Sequence, residues 1–234
     1  MRFESEHLIL LSGFAVFCIW LFKYLSPKKE GVHQSILLGI SVIISLIQMV
    51  KIPLDIYTGV FDVSSSLPFH MCSFLPFLLA WMYYTKSREV WGVIFFWSIL
   101  GAAQANFTPG VKFSLFYYEA LRFWLVHLFI IPLALFPAII WKWELKIKDV
   151  WRTLIALNGT ALAMYFINLV LGSNYMYVIG KPPNASFFDL LPEWPIYILV
   201  LEVVIAIWSL MLFGIFNFVK YGSLQPPEAI TEGN

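Results

Sequence analysis

Three side chains in this sequence have the chemistry of a nucleophile and its helpers: Cys72, His70 and His127. Cys72 stands in the segment S-S-S-L-P-F-H-M-C-S-F-L-P, from Ser64 to Pro76. The serines suit the N-cap of a helix and Pro68 its first turn, which puts Cys72 in the second turn. The positive end of the helix dipole favours an anionic sulfur there. Pro76 carries no N–H, so the carbonyl of Cys72 loses its helical donor and the backbone becomes locally polar. His70 and Cys72 are two positions apart and leave a regular helix on different faces, so they are not set up as a direct pair. His127 lies between Val126 and Leu128 in an apolar run. A neutral imidazole that faces a polar cleft can take a proton. A cysteine with a histidine base is a common acyl-transfer pairing. The sequence equally permits Cys72 as a small buried hydrophobe and His127 as a hydrogen bonder between helices. The three residues lack the i, i+4 spacing of a helical metal site, and neither a metal nor a cofactor is expected.

A second group of residues is polar in an apolar setting: Lys51, Asp55, Glu119, Arg122 and Glu202, with the amides Gln104, Asn106, Asn168 and Asn174. Counted along their own spans at about 1.5 Å per residue, they fall in one half of the membrane. The other half has little beyond Gln48 and Asn158. An ionisable group at such depth costs several kcal/mol unless it is paired or hydrated. One shared polar cleft, open to the outer leaflet or outer surface, would offset that cost. There Lys51 and Arg122 would hold a lipid phosphate, and His70, Asn168 or Asn174 would donate to an oxyanion. The alternative is a set of salt bridges that hold helices together.

The elements that must position these groups follow from composition. The chain has 234 residues, 60% hydrophobic and 12% charged, with a mean hydropathy of +0.80. A soluble domain is about half apolar and a quarter charged, so this chain cannot clothe a water-facing surface. Apolar runs occur at about 7–27, 33–51, 67–85, 89–106, 116–141, 148–171 and 195–220. Lipid offers no partner for backbone N–H and C=O, so each run is expected to be a helix. The expected fold is all-α and polytopic, a single domain over 1–221 with seven spans. Pro132 and Pro137 should kink the fifth span. The first run lacks a basic n-region beyond Arg2 and a small-residue cleavage site, so it reads as a span that stays. Lys23, Lys28, Lys29, Lys86, Arg88, Lys142, Lys146, Lys148, Arg152 and Lys220 fall on one side, against Arg2, Lys112 and Lys181 on the other, with Lys51 and Arg122 near helix ends there. The positive-inside rule then puts the N-terminus outside and the C-terminus in the cytoplasm. Trp81, Trp91, Trp141, Trp143, Trp151 and Trp194 fall near the expected interfaces.

The stretch between the last two spans, G-S-N-Y-M-Y-V-I-G-K-P-P-N-A-S-F-F-D-L-L-P-E-W-P, is rich in aromatics and carries the amphipathic piece SFFDLL. It reads as a structured outer lid at the interface. Asn184-Ala185-Ser186 is a weak sequon match. Residues 222–234 are polar and expected to be a disordered cytoplasmic tail. Cys18 and Cys72 sit in separate apolar surroundings, so no disulfide framework is expected. The dispersed Lys and Arg give no nucleic-acid signal.

SLPFHMC, His127 and SNYMYVIGKPPNASFFDLLPEWPIYIL together make the chain resemble the YwaF-like bacterial integral membrane proteins, which look related to the eukaryotic transmembrane protein 164 family. That resemblance implies a membrane acyltransferase that remodels phospholipid chains, with Cys72 as nucleophile and His127 as base. More distantly the chain is similar to the androgen-induced membrane hydrolases, which use Thr and His on fatty esters. The expected protein is a lipid acyl-transfer enzyme, acyltransferase or hydrolase, in a bacterial plasma membrane, with phospholipids as partners. The rival is a transporter or lipid-binding protein that uses the same cleft without bond-making and pairs Glu202 with Lys51. A seven-helix receptor is weaker still, because the cytoplasmic loops are very short.

Overall fold

The computed structural model describes residues 5–107, 117–182 and 187–222. Among the described residues there are helices and turns and no strand. The long helices are α1 (Ser5–Leu25), α2 (Glu30–Tyr57), α3 (Met71–Thr85), α4 (Arg88–Phe107), α5 (Tyr118–Ile139), α6 (Ile147–Leu171) and α7 (Ile196–Gly222). Six of them are long and apolar enough to cross a membrane; α3 has 15 residues. At about 1.5 Å per residue α3 reaches roughly 22 Å, short of a hydrocarbon core of about 30 Å. The third apolar run therefore begins later than its composition suggests. Thr58 to His70 turn back on themselves before the helix starts. Arg2, Lys112, the sequon at Asn184 and residues 223–234 of the expected tail lie outside the described residues. Gly222 ends α7.

Helices α3, α4 and α5 form the centre, with α2 and α6 packed on them and α1 and α7 on the periphery. The core joins Leu75, Leu79 and Met82 of α3 to Ile94 and Phe96 of α4 and to Ile130, Leu133 and Phe136 of α5. Helix α4 is not uniform. It runs as α-helix to Phe96, widens into a π-helical turn over Trp97–Ala102 and ends in Gln104–Phe107. The wide turn fits tightly against α3: a Cβ on Gly101 would come 3.1 Å from the sulfur of Met71.

Backbone groups freed by proline are taken up by side chains from neighbouring helices. Pro137 cannot donate to the carbonyl of Leu133, and the hydroxyl of Tyr83 donates to it at 2.6 Å. One residue on, the indole Nε1 of Trp91 donates to the carbonyl of Ala134 at 2.8 Å. Trp91 is fully buried here, so it belongs to the core and not to an interfacial belt. Where α1 ends, Nε2 of His33 donates to the carbonyl of Leu25 at 2.7 Å, while Nδ1 accepts from Trp141 at 3.2 Å. Two carbonyls at the end of α3, of Tyr83 and Tyr84, accept from the amide of Gln34 at 2.9 and 3.2 Å.

The same end of the molecule carries a buried ion cluster. Asp149, with no exposed side chain, takes both guanidinium nitrogens of Arg88 at 3.0 and 2.5 Å. It also accepts from Arg152 at 3.3 Å and from the N–H of Lys146 at 2.7 Å. This joins α4 to α6, and Gly92 makes the approach possible, because a Cβ there would lie 2.7 Å from Cγ of Asp149. Gly92→Ala should lower stability by about 1–3 kcal/mol through overpacking, read as a lower thermal midpoint in detergent. Gly159→Ala is the control, since its Cβ meets nothing within 4 Å; it should leave the midpoint unchanged or raised.

Candidate functional site

Cys72 is held in the first turn of α3, one residue after the start at Met71 and two after its N-cap, His70. The serines expected to cap this helix do other work. Asp62 accepts from the N–H of Ser64 at 2.8 Å and from its hydroxyl at 2.6 Å, and the N–H of Asp62 donates to Ser66 at 3.1 Å. That closed turn delays the helix, so the thiol sits nearer the N-terminus than a serine cap would put it. The first N–H groups of a helix have no intrahelical acceptor, and the first to find one here is that of Ser73, which donates to the carbonyl of His70 at 2.8 Å.

His127 reaches the thiol from α5. The His127 side chain lies within interaction range of the Cys72 thiol, as do the Ser73 hydroxyl and, at longer electrostatic range, Arg122. Nδ1 of His127 lies 2.8 Å from the carbonyl of Phe123. A carbonyl only accepts, so Nδ1 carries the hydrogen and Nε2 holds the lone pair. The ring is fixed against Phe123, with centroids 4.2 Å apart. Asn106, at the end of α4, donates to the carbonyl of His127 at 3.0 Å, and the carbonyl of Asn106 accepts from Nε2 of His7 at 2.8 Å. His127 is thus a buried imidazole in the tautomer that can accept a thiol proton.

His70 has the opposite tautomer. Its Nδ1 accepts the N–H of Met176 at 3.3 Å, which leaves the hydrogen on Nε2. Its ring packs on Tyr175 at 5.3 Å and on Tyr177 at 5.2 Å. Burial holds the His70 imidazole below its ordinary value, so it stays neutral. Burial, and behind it the charge of a Cys72 thiolate, pushes the Tyr177 phenol above its ordinary value.

A family model described as the TMEM164 family matches residues 2–213. The chain belongs to the TMEM164 family. No curated protein and no solved structure matches it. With several long apolar helices, this TMEM164-family protein is a multi-pass membrane protein.

The remaining residues singled out in the sequence do not all converge on the thiol. Arg122 is near it, and donates to Gln48 at 2.8 Å and to Glu119 at 2.7 Å; its Nε–H is buried with no partner among the described residues. Lys51 pairs with Asp55 one turn along α2, and Asp55 is also reached by Ser66 and Arg122. Glu202 accepts from Asn158 of α6 at 3.0 Å. The expected Glu202–Lys51 pair is therefore not formed: each carries a nearer partner. Asn168, fully buried, holds the loop that follows α6 by donating to the carbonyl of Tyr175 at 2.9 Å and accepting from its N–H at 2.7 Å. Asn174 donates to the carbonyl of Gly180 at 2.7 Å and accepts from the N–H of Ile179 at 3.3 Å. Both amides shape a loop.

Two adjoining grooves, of about 390 and 300 Å3, run along α3, α4 and α6 and are apolar. Phe74, Phe77 and Leu78 of α3 line the first. At about 100° per residue they lie on the face of α3 opposite Cys72. The polar groups near the thiol are thus a hydrogen-bonded cluster, and the open space lies behind it. Among the described residues no group of three His, Cys, Asp or Glu could hold a metal.

Tyr177 and the carbonyl of Phe123 were not legible from residue type. The aromatic spacing of S-N-Y-M-Y-V pointed to an ordered loop but not to what it would touch. A pH dependence follows from His70. Its folded-state value is depressed, so below about 6.5 the unfolded chain binds a proton that the native site does not. Stability should fall as pH drops through that value. His70→Asn, whose side-chain oxygen stands in for Nδ1, should weaken the fall in the thermal midpoint between neutral and mildly acidic buffer.

Proposed function

We propose that this protein is a membrane-embedded acyl-transfer enzyme acting on phospholipid, as an acyltransferase or a lipid hydrolase. The meeting of the Cys72 thiol with an imidazole whose Nδ1 is committed to Phe123 is the observation that carries the reading. Cys72 is the nucleophile. Nε2 of His127 takes the thiol proton as the sulfur bonds to the ester carbonyl carbon, and the carbonyl π pair moves to oxygen. The tetrahedral centre collapses, the ester C–O bond breaks, and the alcohol leaves with the proton from His127. A second alcohol, or water, reverses the sequence on the thioester. His70, through Nε2–H, and the free N–H groups at the start of α3 are suited to the developing oxyanion.

Arg122 binds the lipid phosphate through its unpaired Nε–H, and Lys51 does so by exchanging Asp55 for it. Glu202, Asn168 and Asn174 support the substrate region by holding α7, α6 and the loop between them. The apolar grooves favour acyl chains as neighbours of the protein. The same grooves favour the second reading, a carrier that binds lipid without making a bond.

We read α3 as a seventh span, shortened at its outer end, with the N-terminus outside and the C-terminus in the cytoplasm of a bacterial plasma membrane. The basic residues Lys86, Arg88, Arg152 and Lys220 at one end support this. The thiol then lies at the outer-leaflet end of α3.

Cys72→Ala and His127→Ala should each abolish acyl exchange between phospholipids by the purified protein, measured by mass spectrometry of the lipids. Undiminished turnover in either variant would end the proposal. A thioester adduct on Cys72 in intact-protein mass spectrometry separates the enzyme from the carrier.

A further inference from the structure

The loop after α6 contains two successive residues in the left-handed region, Met176 at φ 57° and Tyr177 at φ 55°. Neither is glycine, and L side chains rarely adopt this backbone. Several fixed contacts impose it. The N–H of Met176 donates to His70 at 3.3 Å, the N–H of Tyr177 to the carbonyl of Asn174 at 3.1 Å, and the hydroxyl of Tyr197 to the carbonyl of Tyr177. Asn168 and Asn174 clamp the residues on either side. Strain kept in place by so many contacts is characteristic of functional positions.

What the turn sets is the Tyr177 ring. It packs 5.2 Å from His70 and 5.7 Å from Phe188, centroid to centroid, and its phenol is an electrostatic neighbour of the Cys72 thiol. Neighbouring tyrosines use their hydroxyls structurally: Tyr175 bonds to Val63 and Leu67 at 2.7 and 3.1 Å, and Tyr197 to Tyr177. Among the described residues the half-buried Tyr177 hydroxyl makes no hydrogen bond.

We infer that Tyr177 is a further catalytic residue, whose phenolic O–H donates to the acyl carbonyl oxygen as that oxygen becomes an oxyanion. This rests on the acyl-transfer reading of Cys72 and His127. As the sulfur bonds to the carbonyl carbon, the thiol proton goes to His127 and the carbonyl π pair to oxygen. Tyr177 holds that oxygen without giving up its proton. When the tetrahedral centre collapses, the pair returns and the alcohol departs with the proton from His127.

The test uses the full chain in detergent micelles, with 4-nitrophenyl laurate as acylating probe and iodoacetamide as alkylating probe. Alkylation displaces iodide and forms no oxyanion, so it reports the thiol alone. Cys72→Ala provides the blank for both. Tyr177→Phe keeps the ring and its packing and removes one donor. It should slow acylation of Cys72, followed by nitrophenolate release and intact mass, by about 100-fold or more, with the alkylation rate unchanged. Acylation at the wild-type rate overturns the inference. Equal slowing of both reactions also overturns it, because Tyr177 would then act through placement of the thiol. A wild-type Cys72 that is alkylated but never acylated removes the acyl-transfer reading itself, and this inference with it.

Discussion

Hydrocarbon supplies no hydrogen-bond partners, and the arrangement of this protein follows from that constraint. A buried donor or acceptor left unmade costs about 1–3 kcal/mol. Each break in a helix must therefore be repaired from a neighbour, and each repair fixes two helices relative to one another. Tyr83 on the carbonyl of Leu133 and Trp91 on that of Ala134 tie α3 and α4 to the proline-bearing end of α5. His33 on the carbonyl of Leu25 ties α2 to α1. Asn106 on the carbonyl of His127 ties the end of α4 to the middle of α5. The polar side chains thus serve as fasteners, and α5 receives the most of them.

The same constraint explains why the charged residues do not line one open cleft. Lys51 with Asp55, Arg122 with Glu119 and Gln48, and Glu202 with Asn158 each take the nearest partner. Local pairing satisfies a buried charge with fewer ordered groups than a shared hydrated chamber needs. Among the described residues the buried polar atoms left unsatisfied include the Nε–H of Arg122, the side-chain oxygen of Asn106 and the indole N–H of Trp124. Arg122 is the one among them with electrostatic reach to the thiol.

Around Cys72 the two histidines are complementary. A backbone carbonyl fixes the hydrogen of His127 on Nδ1, and a backbone N–H fixes that of His70 on Nε2. One ring presents a lone pair and the other retains a donor. The loop from Gly172 onward is part of this arrangement, because Met176 sets the tautomer of His70.

The sequence by itself determined the all-helical membrane class, because 60% apolar and 12% charged residues admit no other solvent. It located five of the six long apolar helices to within two residues and ended α2 six residues early, since runs of apolar side chains need no partner to be recognised. It also singled out Cys72, His70, His127 and Arg122, because nucleophilic and ionisable groups are conspicuous in apolar runs. It misplaced the start of α3, where an Asp62 turn competes with helix capping for the same serines. It read Asn168 and Asn174 as oxyanion donors, although their partners are loop backbone only a few residues away. Tertiary structure alone decided that α5 meets the first turn of α3, which tautomer each histidine adopts, and that Tyr177 packs on His70 within electrostatic reach of the thiol. Those facts depend on which carbonyl or N–H from a distant part of the chain arrives at each ring, and residue type and local spacing carry no record of that.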